Sequence, residues 1–240
     1  MIKGTIEICC NSLPSALNAQ YAGADRIELC TGLMEGGMTP SLGLIEEVIS
    51  QLHIPVYVLI RPRGGNFCYT DAEINLMLRD IEWCKQSGVK GIVSGALTPD
   101  CEIDSDRMPV LISAAESLDF TFHRAFDVVK NPFDELAQLK KYGVKRILTS
   151  GGKETAYDGI ENISLLAKEY PQQISIMPGG GVNEENIQEI ILTTGINEIH
   201  FSASIGAASY SVPGHQHFST ITDFERARKL ISLARQAFAQ

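Results

Sequence analysis

The sequence is short of positive charge: 20 Lys and Arg stand against 29 Asp and Glu, a formal net charge of −9. That balance argues against nonspecific binding to nucleic acid or to a membrane surface. There is no basic arm, and no apolar run is long enough to span a bilayer. Met1-Ile2-Lys3 opens no signal-peptide pattern. The expectation is a soluble, cytoplasmic protein, in which the six cysteines stay free thiols for packing, catalysis or metal binding. No two of them have C-x-x-C spacing, and a four-ligand structural zinc site needs more than they offer. Linkers and low-complexity tracts are missing as well, so residues 1–240 read as one domain.

What is present is a repeat. Gly23-Ala24-Asp25-Arg26-Ile27, Gly88-Val89-Lys90-Gly91-Ile92, Gly143-Val144-Lys145-Arg146-Ile147 and Gly195-Ile196-Asn197-Glu198-Ile199 share one form. Each follows an amphipathic stretch and precedes a short apolar run. Glycine suits the left-handed residue that closes a helix, and the residues after it open a strand. Counting such units gives eight candidate strands near 5–9, 26–30, 55–61, 91–95, 119–124, 146–150, 174–178 and 198–202. Helical candidates follow each. Thr70-Asp71-Ala72-Glu73 is a capping box, and Ile74, Met77, Leu78, Ile81 and Cys84 share one face behind it. Asn183 is placed to cap a later helix, with Val182 and Ile187 as a hydrophobic staple. A final helix over 223–238 carries Phe224, Ala227, Leu230, Ile231, Ala234 and Phe238 on one side. Eight βα units without a composition break predict an α/β fold, a single (β/α)8 TIM barrel. The long segment 206–222 after the eighth strand reads as a loop bordering the active face.

Alternation within the strands decides what fills the barrel. If the apolar residues face the helices, their neighbours face the axis. The inward set then reads Glu7 and Cys9, Glu28 and Cys30, Leu59 and Arg61, Val93 and Gly95, Thr121 and His123, Leu148 and Ser150, Met177 and Gly179, His200 and Ser202. Barrel interiors are normally packed with branched apolar side chains. Two Glu, two Cys, two His and an Arg near the C-terminal strand ends point to a functional pocket. The plainer alternative is a buried network in which Arg61 and Arg124 neutralise Glu7 and Glu28, which contributes little net stability. Gly151 and Gly152 follow strand six, Gly179-Gly180-Gly181 follow strand seven, and Ser202-Ala203-Ser204 follow strand eight. Backbone amides there suit an anion, or serve turn geometry alone.

The cysteines divide by position. Cys84 belongs to a helix core face, Cys10 points away from Cys9, Cys68 lies in the loop after strand three, and Cys101 has no evident partner. Cys9 and Cys30 fall at matching inward positions on neighbouring strands, about 4.8 Å apart. Two soft thiolates suit Cu(I). Free buried thiols are the alternative. His215 and His217 in the late loop offer a weaker metal signal, two solvated histidines being the commoner reading.

Several motifs together resemble the CutC family: Ile6-Glu7-Ile8-Cys9, Gly23-Ala24-Asp25-Arg26-Ile27-Glu28-Leu29-Cys30, Glu35-Gly36-Gly37-Met38-Thr39-Pro40-Ser41 and Ile60-Arg61-Pro62-Arg63-Gly64-Gly65. Thr121-Phe122-His123-Arg124-Ala125-Phe126-Asp127, Leu148-Thr149-Ser150-Gly151, Met177-Pro178-Gly179-Gly180-Gly181 and Ile199-His200-Phe201-Ser202-Ala203 extend the likeness over roughly the first 205 residues. The resemblance implies a (β/α)8 barrel, a cytosolic copper-homeostasis protein with copper as its partner, Cu(I) ligation by Cys9 and Cys30, and a homo-oligomer. Glu7, Glu28 and His123 would then surround the metal. A second reading is an enzyme acting on a small anionic or phosphorylated substrate. There Arg61, Arg63, Arg124, Ser150, Gly151, Gly179, Gly180, Gly181, His200 and Ser202 hold the anion, and Glu7, Glu28 and His123 share acid–base work.

Overall fold

The structure, a computed structural model, describes residues 4–170, 173–207 and 219–240. Eight parallel strands form the barrel: β1 Thr5–Cys10, β2 Arg26–Leu29, β3 Val56–Leu59, β4 Gly91–Ser94, β5 Asp119–Phe122, β6 Arg146–Thr149, β7 Ser175–Pro178 and β8 Glu198–Phe201. Ladders run from β7 through β6, β5, β4, β3, β2 and β1 to β8, and β7 lies against β8 to close the ring. The chain is a (β/α)8 barrel. Helices α1 Leu13–Ala22, α2 Leu42–Gln51, α3 Asp71–Ser87, α4 Arg107–Ala115, α5 Pro132–Lys141, α6 Ile160–Glu169 and α7 Ile187–Thr194 follow the first seven strands.

Local chemistry places these elements. The four repeated glycines Gly23, Gly88, Gly143 and Gly195 all take positive φ, between 66° and 97°, which a side chain would resist. Thr70 and Glu73 form the reciprocal capping box at the start of α3, and Ile74, Met77, Ile81 and Cys84 are buried behind it. Asn183 has a different task from the expected one. Its carboxamide closes the turn before α7, accepting from the Glu185 N–H, and α7 itself begins at Ile187. The long segment after β8 is also more ordered at its ends than a plain loop. β9 Ser204–Ala207 pairs antiparallel with β10 Ser219–Thr222, and Asp223 then caps α8, Phe224–Phe238. His215 and His217 lie outside the described residues.

The core is divided in two. One large cluster fills the space between strands and helices and includes Ile6, Ile8, Cys10, Ile27, Leu29, Val58 and Ile92. A small one lines the barrel axis: Cys9, Cys30, Tyr57, Leu59 and Val93. That division is the period-two alternation seen from inside, and it leaves the axis to polar groups. Among the described residues, no helix is long and apolar enough to cross a membrane.

Candidate functional site

The lower barrel, toward the N-terminal strand ends, holds an ionic layer. Arg26 donates to Glu7 and, at 2.7 Å, to Glu198. Arg146 donates to the same Glu198 carboxylate and, at 3.1 Å, to the Thr121 hydroxyl. Both guanidiniums lie over the ring of Tyr57, at 4.7 and 5.4 Å, and that ring has room because position 91 is glycine. Burial alone would raise the Glu7 carboxyl. Arg26, His200 and Arg146 outweigh it and hold Glu7 far below the ordinary carboxylate range. Arg61 and Arg124 are not the neutralising partners. Arg26 pairs with Glu7 and Arg146 with Glu198, while Glu28 has His200 beside it. Arg26 and Arg146 precede expected inward residues by two positions, so the strand alternation already carried that signal.

Above this layer stand Cys9, Cys30, Glu28 and His200. The Cys9 and Cys30 sulfurs are 3.5 Å apart. Cys9, Glu28 and His200 bring one ligand atom each within 4.8 Å of one another. His200 Nδ1 is 2.7 Å from Glu7, and its Nε2 is 3.7 Å from Glu28. Burial disfavours a charged His200, but hydrogen bonds with Cys9 and Glu7 and the charges of Glu28 and Glu7 push its pKa well up. Glu28 moves the opposite way from Glu7. Burial raises it, with the charge of Glu7 adding to the rise and His200 partly offsetting it. The Cys9 thiol is held well above its ordinary pKa by its hydrogen bond with Cys30, then by burial and by the Glu28 charge.

These residues floor a pocket of about 160 Å³ whose walls are Leu33, Gly36, Gly37, Leu59, Arg61, Phe67, His123, Arg124 and Leu148. Arg61 is buried and clamps its rim. It donates to the Glu35 and Gly37 carbonyls at 2.9 and 2.7 Å and to Gly65 at 2.8 Å, tying the loops after β2 and β3 together. Phe67 touches both cationic and aromatic neighbours, with Arg61 5.0 Å from its centroid and the His123 ring at 4.8 Å. His123 is 5% exposed. Its Nδ1 accepts from the Ala125 N–H at 3.3 Å, and its Nε2 has no partner among the described residues. Burial, and then the charge of Arg61, push its pKa down to about 3, so the ring is neutral. A neutral imidazole of that kind is a fixed hydrogen-bond donor and a poor base.

The other expected anion-holding residues have different employment. Arg63 faces Glu73 at 2.5 Å and donates to the Gly64, Asn66 and Cys68 carbonyls, outside the pocket. The amide nest after β6 is already filled by a carboxylate of the chain itself. Asp127 accepts from the N–H groups of Ser150 and Gly152 and from the hydroxyls of Thr149 and Ser150. Arg124 spans Asp127 and Ser150, at 2.7 and 2.8 Å. Gly151 and Gly180 serve close approach. A Cβ on Gly151 would meet the Gly159 carbonyl at 2.5 Å, and one on Gly180 would meet Arg124 at 2.9 Å. Gly179 likewise leaves room for Leu148 and His200, and Gly181 for Thr155. Ser202 exchanges a hydrogen bond with Ser204 at 3.1 Å. Cys10 and Cys84 are buried in the outer core, and Cys68 neighbours Cys101 in the loops.

The sequence profile of the CutC family matches residues 4–205. A human copper homeostasis protein cutC homolog is 41% identical over 242 residues, covering 96% of this chain and 89% of its own. A family protein CutC of Xylella fastidiosa is 42% identical, covering 98% and 90%. The crystal structure of a CutC from Streptococcus agalactiae superposes with a TM-score of 0.80 at 37% identity, over 83% of this chain and 98% of that one. A thiamine phosphate pyrophosphorylase from Pyrococcus furiosus, 14% identical with a TM-score of 0.62, shares the barrel fold alone.

Proposed function

The chain belongs to the CutC family, and from that premise we propose that it is a copper-homeostasis protein that holds Cu(I) between Cys9 and Cys30 at the mouth of the barrel. The observation that carries this reading is the approach of the two sulfurs to 3.5 Å in a buried setting. Soft thiolates select Cu(I), and hard oxygen ligands do not. The mixed group of Cys9, Glu28 and His200 is a weaker donor set for this ion, because His200 is tied to Glu7 and favours its charged form. Protonated, His200 has another use. Cu(I) between two thiolates carries a net negative charge, and the imidazolium beside Cys9 offsets it in a medium of low dielectric. Copper is cargo here and must displace thiol protons to enter.

Competition titration of the reduced protein with Cu(I) against a chromophoric chelator tests the reading. One tightly held ion is expected, lost in the Cys9→Ser, Cys30→Ser double variant. Equal affinity in the double variant overturns it. A cytoplasmic location fits a thiol-based site that must stay reduced, and fractionation of cells expressing the native chain checks it.

A further inference from the structure

Copper between two thiolates leaves the other wall of the mouth unexplained. His123 spends Nδ1 as an acceptor for the Ala125 N–H, which fixes the proton on Nε2. That N–H is buried, and it is one of three buried side-chain polar atoms without a partner among the described residues. A buried donor left without an acceptor loses its hydration without compensation, so chains rarely keep one without use. Glycine at position 95 makes space for this ring, since a Cβ there would lie 2.9 Å from His123 Cε1. Arg61 beside it is a buried cation that faces carbonyls and, among the described residues, no carboxylate within ion-pair distance. Both line the same pocket, with Leu33, Leu59, Phe67 and Leu148 as its apolar walls.

From this juxtaposition we infer that the mouth is also a binding site for a short-chain carboxylate. One carboxylate oxygen accepts the His123 Nε2–H, its charge lies in the field of Arg61, and its hydrocarbon part packs on Leu33, Leu59, Phe67 and Leu148. A volume of about 160 Å³ equals roughly five waters, enough to seat a ligand of about four carbons. The neutral state of His123 agrees, because a neutral N–H positions an acceptor without competing for its proton. A phosphate fits less well, since the amides best placed to cradle one are taken up by Asp127. The donor here is His123 rather than a thiol, although Cys9, Cys30, Glu28 and His200 floor the same pocket, so the test is made on the metal-free protein.

Butyrate is the probe, with butyramide as its uncharged analogue and inorganic phosphate as the competing anion. Nitrogen-15 spectra of histidine-labelled, metal-free protein resolve the ring tautomers, and with five histidines in the chain His123 is assigned by substitution. His123 is expected as the Nε2–H tautomer. Its Nε2–H signal should shift saturably with butyrate by about 10 mM, at least tenfold more weakly with butyramide, and not with phosphate. The same response should persist in the Cys9→Ser, Cys30→Ser variant. His123→Phe, which keeps the ring packing on Phe67, should lose at least tenfold in butyrate affinity by calorimetry. An Nδ1–H tautomer, a His123 signal unmoved by butyrate, an equal response to butyramide, or a response to phosphate alone overturns the inference. Should the Phe variant fail to fold, the spectra of the unaltered protein still decide.

Discussion

At the level of Glu7, Arg26, Arg146 and Glu198, every charge in the barrel faces an opposite charge. One level nearer the C-terminal strand ends, around Cys9, Cys30, His123 and Arg61, the thiols touch only weakly and, among the described residues, a ring N–H is unpartnered and a cation lacks a carboxylate. Both levels are polar and buried, so polarity alone does not mark a site. What separates them is whether the hydrogen-bonding and charge capacity of each group is spent within the chain. The lower level is closed on itself and holds the barrel in shape. The upper level, among the described residues, has capacity left unused.

The comparison is broken most severely from below. Glu7→Ala strips Arg26 and His200 of a shared carboxylate and strands buried charge, which costs about 3–5 kcal/mol. Against a typical total of about 5–15 kcal/mol, that leaves a marginal protein, and urea unfolding measures it. The layer also predicts acid sensitivity. Glu7 lies far below its ordinary 4.5 when folded, so its contribution is fully present above about pH 4.5 and drains away as pH falls toward the folded value. Unfolding monitored from pH 6 downward should show that loss, with a shallower slope in Glu7→Gln.

Smaller effects sharpen the upper level. Because the Cys9 thiol is held well up, Cu(I) must compete with a proton there. With two thiols giving up a proton each, apparent affinity should rise by up to about a hundredfold per pH unit between pH 6 and 8, measured by the same chelator competition. Least of all in stability is Cys9→Ser, which exchanges a thiol in contact with Cys30 and His200 for a hydroxyl and should cost about 1 kcal/mol. A cost as large as that of Glu7→Ala would mean that the thiols belong to the structural layer.

Much of this was legible in the sequence. Repeated glycines before strands, the capping box at Thr70 and period-two alternation are local patterns, and they located the barrel and its inward residues. Pairing was harder. Arg26, Arg146 and Glu198 stand on the inward phase of their strands, but which acid meets which base depends on the stagger of the whole ring. Asp127 lies 23 residues before Ser150, and no local signal tells that its carboxylate fills the nest there. The hairpin of β9 and β10 is likewise a pairing across a gap, which periodicity in either half does not reveal.

X-ray absorption at the copper edge of the Cu(I)-loaded protein tests the central claim most directly. The account predicts two sulfur neighbours about the ion in the unaltered protein and their loss in the Cys9→Ser, Cys30→Ser variant. A first shell of nitrogen and oxygen alone, or a spectrum unchanged by the double substitution, would contradict it.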